Sequence, residues 1–214
     1  MKLNARLTCV LMALGIAATI QARTPIRQWL ATMPDSVMPL LTKNNRLDFI
    51  DFLDSNMDAV VMNRLDGRSR MKTLTDDYTS IDYTRSCKVT MKLLPVTDST
   101  DVLCMVTTLS APIEDSRIAF YNAQWQPMRA DSLVKTPQVN DFASGSDDDE
   151  ARRAWLKVEI PFMTYTLSAE APTLECRLSA LDYLSDDDRK AIAPYVKRES
   201  ITLTWGENGF GAQP

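Results

Sequence analysis

Histidine is absent from all 214 residues, and that absence removes more chemistry than any motif in the chain supplies. Ser-His-Asp and Cys-His nucleophile systems need an imidazole to shuttle protons near neutral pH. Zinc sites draw on histidine or clustered cysteine, and haem most often on histidine. What is left is carboxylate chemistry, lysine chemistry, hard cations held by oxygen, or no chemistry. Glycine is scarce, with six residues, and none belongs to a phosphate loop or a G-x-G-x-x-G turn, so nucleotide binding is not expected. Beyond the first 22 residues no apolar run approaches the roughly 20 residues that span a bilayer.

The one apolar run stands at the start. Lys2 and Arg6 lead into residues 10–20, and Ala22 offers a small residue for cleavage. This pattern predicts a secretory signal peptide over 1–22. Cys9 precedes the apolar run instead of closing it, which argues against a lipid anchor. Loss of Lys2 and Arg6 with the leader leaves 22 basic and 28 acidic residues, a net charge of −6 in place of −4. Such a chain repels phosphate backbones, so no nucleic-acid partner is expected. Hydrophobic content of 45% and charged content of 24% are those of a folded globular protein.

Three cysteines follow the leader: Cys87, Cys104 and Cys176. An odd, widely spaced set is no disulfide framework. If 87–94 and 102–109 form a hairpin, Leu94 lies opposite Val102, Cys87 opposite Leu109 and Cys104 opposite Lys92. Cys87 and Cys104 are then about 17 Å apart along the strands, beyond the reach of a disulfide. Three buried free thiols are expected.

Periodicity predicts an α+β fold, with N-terminal helices packed on a mainly antiparallel sheet of hairpins. A short helical segment opens at Thr24-Pro25, Asp35 can cap a short turn through Leu41, and a longer helix runs over 44–56, where Phe49, Ile50, Leu53 and Met57 share a face. Asp48, Asp51, Asp54 and Asp58 take the opposite, solvated side. From Ala59 the period becomes two, with strands at 59–65, 70–74, 78–83, 87–94, 102–109 and 116–122. Cys87, Val89, Met91 and Leu93 share one face with Leu103, Met105 and Leu109. Residues 127–154 lack either period and read as an acidic loop or linker. The remainder, 155–214, reads as a hairpin-helix-strand unit: a long strand 155–167 with Leu156, Val158, Ile160 and Phe162 inward, a return through Leu174, Cys176 and Leu178 that pairs Leu167 with Thr173 and Phe162 with Leu178, a helix from Ser185, and a strand at 200–205. Residues 23–214 make one compact domain or two tightly packed halves. Leu41-Thr-Lys-Asn-Asn-Arg46 and Leu184-Ser-Asp-Asp-Asp-Arg189 each precede a helix and then a strand, through duplication or through two independent N-cap signatures.

Few constellations invite chemistry. Asp76 and Asp77 sit beside Thr75 and Tyr78, and a carboxylate pair can serve as acid and base. In an extended strand they diverge, so only a turn brings them together, and turn capping is the simpler role. The clusters at Asp147–Glu150 and Asp186–Asp188 match no calcium loop, and no metal site or cofactor is assigned. Trp29, Trp125, Trp155 and Trp205 can pack or stack on a sugar or peptide. Trp155 and Trp205 fall near strand ends and stand with Tyr78 as candidate ligand contacts.

The runs Pro39-Leu-Leu-Thr-Lys-Asn-Asn-Arg-Leu-Asp-Phe-Ile-Asp-Phe52, Leu74-Thr-Asp-Asp-Tyr-Thr-Ser-Ile81 and Leu184-Ser-Asp-Asp-Asp-Arg-Lys-Ala-Ile-Ala-Pro-Tyr195, with residues 201–205, carry a resemblance. Together they resemble an exported family of unknown function, about 200 residues long, from Bacteroides-type bacteria. The resemblance implies a Gram-negative envelope, in the periplasm or on the outer surface. It adds weight to Asp76 and Asp77 and names no catalytic residue. The expectation is therefore a non-enzymatic envelope protein that binds a protein or glycan partner, its oligomeric state unread. A hydrolase using Asp76 and Asp77, and a cation-dependent adhesin or stress protein using the acidic loop at Asp147, are the competing expectations.

Overall fold

Strands joined by tight turns carry most of the architecture, because β-branched and apolar residues alternate between short turn-forming runs from Ala59 onward. The computed structural model describes residues 23–110, 112–145 and 148–212; the expected leader at 1–22 and Asp147 lie outside them. Seven strands form an antiparallel meander in chain order: β1 (Val60–Met62), β2 (Arg68–Leu74), β3 (Tyr78–Thr84), β4 (Cys87–Pro95), β5 (Asp101–Ser110), β6 (Glu114–Tyr121) and β7 (Pro127–Met128). A second antiparallel sheet runs β11-β10-β9-β8, from β8 (Thr164–Leu167), β9 (Thr173–Arg177), β10 (Ser200–Gly206) and β11 (Gly209–Ala212). Helices α1 (Ile26–Thr32) and α2 (Lys43–Asp54) precede the strands, while α3 (Val139–Phe142), α4 (Asp149–Trp155) and α5 (Asp186–Ile192) lie among the later ones. The fold is α+β.

The large sheet is covered on both faces. On its front, Ile26, Trp29, Leu30, Phe49 and Ile50 of α1 and α2 pack on Met71, Ile81, Val89, Met91, Leu93, Leu103 and Met105. On its back, Tyr78, Leu94, Val102, Cys104, Val106 and Phe120 meet Leu167, Leu174, Cys176, Leu203 and Phe210 of the small sheet. Double coverage explains why residues 102–106 are apolar without interruption. Trp29 and Trp125 meet edge to face in the front core, their centroids 5.6 Å apart.

Helix α2 begins with the expected N-cap: the Thr42 hydroxyl accepts from the Asn45 amide while the Asn45 side chain accepts from the Thr42 amide. Ser185 caps α5 the same way, accepting from the Asp188 amide. Each capped helix leads to a hairpin, β1–β2 after α2 and β10–β11 after α5. The short turn expected at Asp35 is present, at 35–37 and again at 39–40. The Asp35 carboxylate meets Arg46, whose guanidinium is fully buried. Arg46 donates from Nε to the Leu30 carbonyl (3.1 Å), from Nη1 to Asp35 (3.1 Å) and the Leu41 carbonyl (2.8 Å), and from Nη2 to the Met33 carbonyl. One side chain thus satisfies the open end of α1 and the turn before α2.

The central hairpin has the expected register, with Leu94 opposite Val102, Lys92 opposite Cys104 and Cys87 opposite Leu109. The three cysteines among the described residues are free; Cys104 and Cys176 are buried, but Cys87, at the outer end of β4, is only half-buried. Other expectations are corrected. Residues 127–154 are not a loop: β7, a 3-10 turn at Ala130–Ser132, α3 and α4 lie there, anchored by buried Val134, Phe142, Ala151 and Ala154. Asp148 accepts from the Ala151 amide, and Asp149 and Glu150 fill the first turn of α4, so the acidic run serves as a helix start. The long strand at 155–167 shrinks to β8. Trp155 ends α4, Leu156 and Ile160 are 71% and 59% exposed, and Pro161 has no amide to donate to a ladder. Leu167 pairs with Leu174 rather than Thr173, because the Ser168 amide closes on the Thr173 carbonyl. Phe162 and Leu178 share a side cluster with Phe142 and Met163 without pairing as strands. Strand β11 was not anticipated. It starts at Gly209, φ +93°, where a Cβ would collide with the Leu133 carbonyl.

Two outcomes follow from this packing. Burial raises the pKa of all three thiols, that of Cys176 to about 12; since the thiolate is the reactive form, maleimide labelling of the native protein modifies Cys87 slowly and leaves Cys104 and Cys176 unmodified until urea is added. Arg46→Met strips buried carbonyls of their donor and lowers the free energy of urea unfolding by about 3–5 kcal/mol, while Arg46→Lys, with one donor centre instead of a fork, restores only part of it.

Candidate functional site

At the end of the large sheet where β2 turns into β3 and β4 into β5, the chain builds an open cleft of about 720 Å³. Arg23, Asp76, Asp77, Lys92, Asp101 and Glu170 give it charge, and Pro25, Leu93, Pro95 and Pro172 give it an apolar floor. The β2–β3 turn is fixed by Thr75, whose hydroxyl accepts from the Tyr78 amide (3.0 Å) and donates to the Asp77 carboxylate (3.1 Å). Asp76 and Asp77 lie in this turn, outside any strand. The Asp76 carbonyl accepts from the Ile26 amide and the Asp77 carbonyl from the Leu93 amide, both at 2.7 Å. The turn is therefore tied to α1 and to β4.

Lys92 is the cleft's least expected member. It is 3% exposed, on the back face of β4 between Thr90 and Leu94. Its ammonium meets Asp77 at 2.9 Å, donates to the Ala169 carbonyl at 2.8 Å and stands 5.9 Å from the centre of the Tyr78 ring. Across the cleft, Arg23 pairs with Asp101 at 3.1 Å and donates to the Thr97 carbonyl at 3.2 Å. Burial raises the Asp101 pKa, with Arg23 opposing the shift and Asp77 adding to it.

The five residues singled out from the sequence separate. Asp76 and Asp77 line the cleft, and Tyr78 is buried behind them beneath the Lys92 ammonium. Trp205 is half-buried behind the cleft wall. Its indole donates to the Pro95 carbonyl at 2.7 Å, and its ring packs on Phe120 and edge-on to Phe210. Trp155 lines a different cavity of about 460 Å³ with Asn140, Arg152 and Leu156. Arg23, Lys92, Asp101 and Glu170 escaped the sequence-based reading. Lys92 had a signal, since it alternates with Leu94 and faces Cys104, so its side of β4 is a second core face. Among the described residues no three acidic or cysteine side chains gather closely enough to hold a metal ion. In α5, Asp188 instead bonds to Ser185, which lowers its pKa.

The Lys92–Asp77 pair is testable as a structural unit. Asp77→Asn leaves a buried ammonium without its counter-charge and costs about 1–2 kcal/mol, whereas adding Lys92→Met to that variant recovers most of the loss. Urea unfolding of the two single variants and the double variant measures both terms.

The comparisons agree with this architecture. The family described as protein of unknown function (DUF3256) matches residues 17–210. A domain of an uncharacterized protein from Porphyromonas gingivalis W83 superposes with a TM-score of 0.79 at 26% identity, over 88% of this chain and 98% of that one. No curated protein matches the chain. The resemblance read from residues 39–52, 74–81 and 184–195 points the same way, toward a family without an assigned activity and a relative from the Bacteroidetes. The chain belongs to the DUF3256 family.

Proposed function

We propose that this protein is exported to the Gram-negative envelope, in the periplasm or on the outer surface, and holds a protein or glycan partner in the cleft beside Asp76 and Asp77 without turning it over. The observation that carries this reading is that two of the cleft's four carboxylates, Asp77 and Asp101, are already tied to its two cations. Carboxylate catalysis needs one raised acid and one free base or nucleophile at a set separation. Here Asp77 is committed to Lys92, and Asp101, whose pKa is raised by burial, is held by Arg23. With its raised acid and one neighbouring carboxylate both paired, the site is poor at moving protons. It remains well suited to recognition, because the floor of Leu93, Pro95 and Pro172 offers a surface for a sugar ring or an apolar side chain, and the rim offers carboxylates to its hydroxyls or amides.

The leader pattern at 1–22 supports the export half of the reading, and no helix among the described residues is long and apolar enough to cross a membrane. A thermal-shift screen against envelope glycans and peptides tests the binding half. A true ligand at about 100 times its Kd raises Tm by roughly 5–10 °C, and Glu170→Lys or Asp76→Lys at the rim abolishes the shift. Release of cleaved product from any panel member, lost in Asp76→Asn or Asp77→Asn, would instead establish the hydrolase.

A further inference from the structure

A second groove, of about 820 Å³, lies at the opposite strand ends of the large sheet, where β1 turns into β2 and β3 into β4. Its charge is the reverse of the cleft's. Arg70 pairs across the ladder with Asp82, and Asp82 with Lys88. Their neighbours Met71, Ile81 and Val89 belong to the front core, so Arg70, Asp82 and Lys88 stand on the back face, with Arg68 two positions away on the same side of β2. The small sheet does not cover this corner, since β8 packs on β4, β5 and β6. Arg85 joins the groove from the β3–β4 turn.

Arg70 is matched by Asp58 and Asp82 by Lys72. Arg68, Arg85 and Lys88 are exposed and make no ion pair among the described residues. Three unmatched cations thus meet in one groove of a chain whose net charge is −4. The geometry points to a binding site for a compact polyanion, a sulfated or phosphorylated saccharide. Guanidinium forks match the paired oxygens of sulfate and phosphate. Exposed ion pairs are individually weak, so a single phosphate gains little, whereas a saccharide with several anionic groups engages all three cations together. The groove also offers Ser86 and Ser110, and Leu65 for the face of a sugar ring. An extended polyanion is disfavoured, because the chain as a whole carries a net charge of −4.

Isothermal titration with sucrose octasulfate and inositol hexakisphosphate tests the assignment, with sucrose as the uncharged control. At low salt both anions bind with Kd in the micromolar range, on the order of −8 kcal/mol. The Arg68→Glu/Arg85→Glu variant weakens them at least tenfold, as does physiological salt. Arg129→Glu, an identical charge change per site at an exposed residue outside the groove, leaves affinity within twofold; melting temperatures confirm that each variant is folded. The assignment is overturned if neither anion binds, if Arg129→Glu weakens binding as much as the groove variant, or if a short single-stranded oligonucleotide binds more tightly than either saccharide. Groove-dependent sedimentation with phosphatidylglycerol vesicles, without saccharide binding, would overturn it in favour of a lipid surface.

Discussion

The buried guanidinium of Arg46 is the contact on which the placement of the other parts depends. It gathers the carbonyls of Leu30, Met33 and Leu41 and the carboxylate of Asp35 around one planar group, which sets α1 against α2. With that angle fixed, Ile26, Trp29, Phe49 and Ile50 form one apolar surface over the large sheet. The same helix carries the Ile26 amide to the Asp76 carbonyl and brings Pro25 and Arg23 to the wall of the cleft. A side chain remote from the cleft thereby determines one of its sides.

The second organising constraint is the double coverage of β4 and β5. Along the back face of β4 the environment changes from exposed Lys88 through buried Thr90 and Lys92 to buried Leu94. Both lysines share the strand and the face, and their roles differ because the small sheet covers only one of them. Under cover, Lys92 has to be paired, since an isolated ammonium in an apolar core is costly. In the open, Lys88 keeps its charge available. The acidic cleft and the basic groove are thus the two ends of one partly covered sheet.

Much of the large sheet is legible in the sequence because its determinants are local. Alternation and turn residues set the β4–β5 register residue for residue, and the hydroxyls of Thr42 and Ser185 mark helix starts. The back layer was largely hidden for a physical reason: alternation identifies one buried face, and beyond the hint of Leu94 and Cys104 nothing announces which residues cover Lys92, the Ala169 carbonyl it meets lying 77 positions away. The strand expected at 155–167 failed where a genuine alternation lost to Pro161 and to α4. The acidic run near Asp148 looked like linker because helix capping and solvated loops use the same residues. The candidate site was half visible, since the turn at Asp76 and Asp77 could be found from composition, but its partners Arg23, Lys92 and Asp101 arrive from separate segments.

The outermost strands of both sheets are short: three residues in β1, two in β7, and four each in β8 and β11. Edges of this length present too few free amides and carbonyls to template an added strand. Recognition by strand addition, a common route for sheet proteins to capture extended peptides, is therefore disfavoured at these four strands. A visitor to the cleft or the groove engages side chains at the strand ends, where selectivity can be retuned by turn residues without disturbing the hydrogen-bonded ladders beneath.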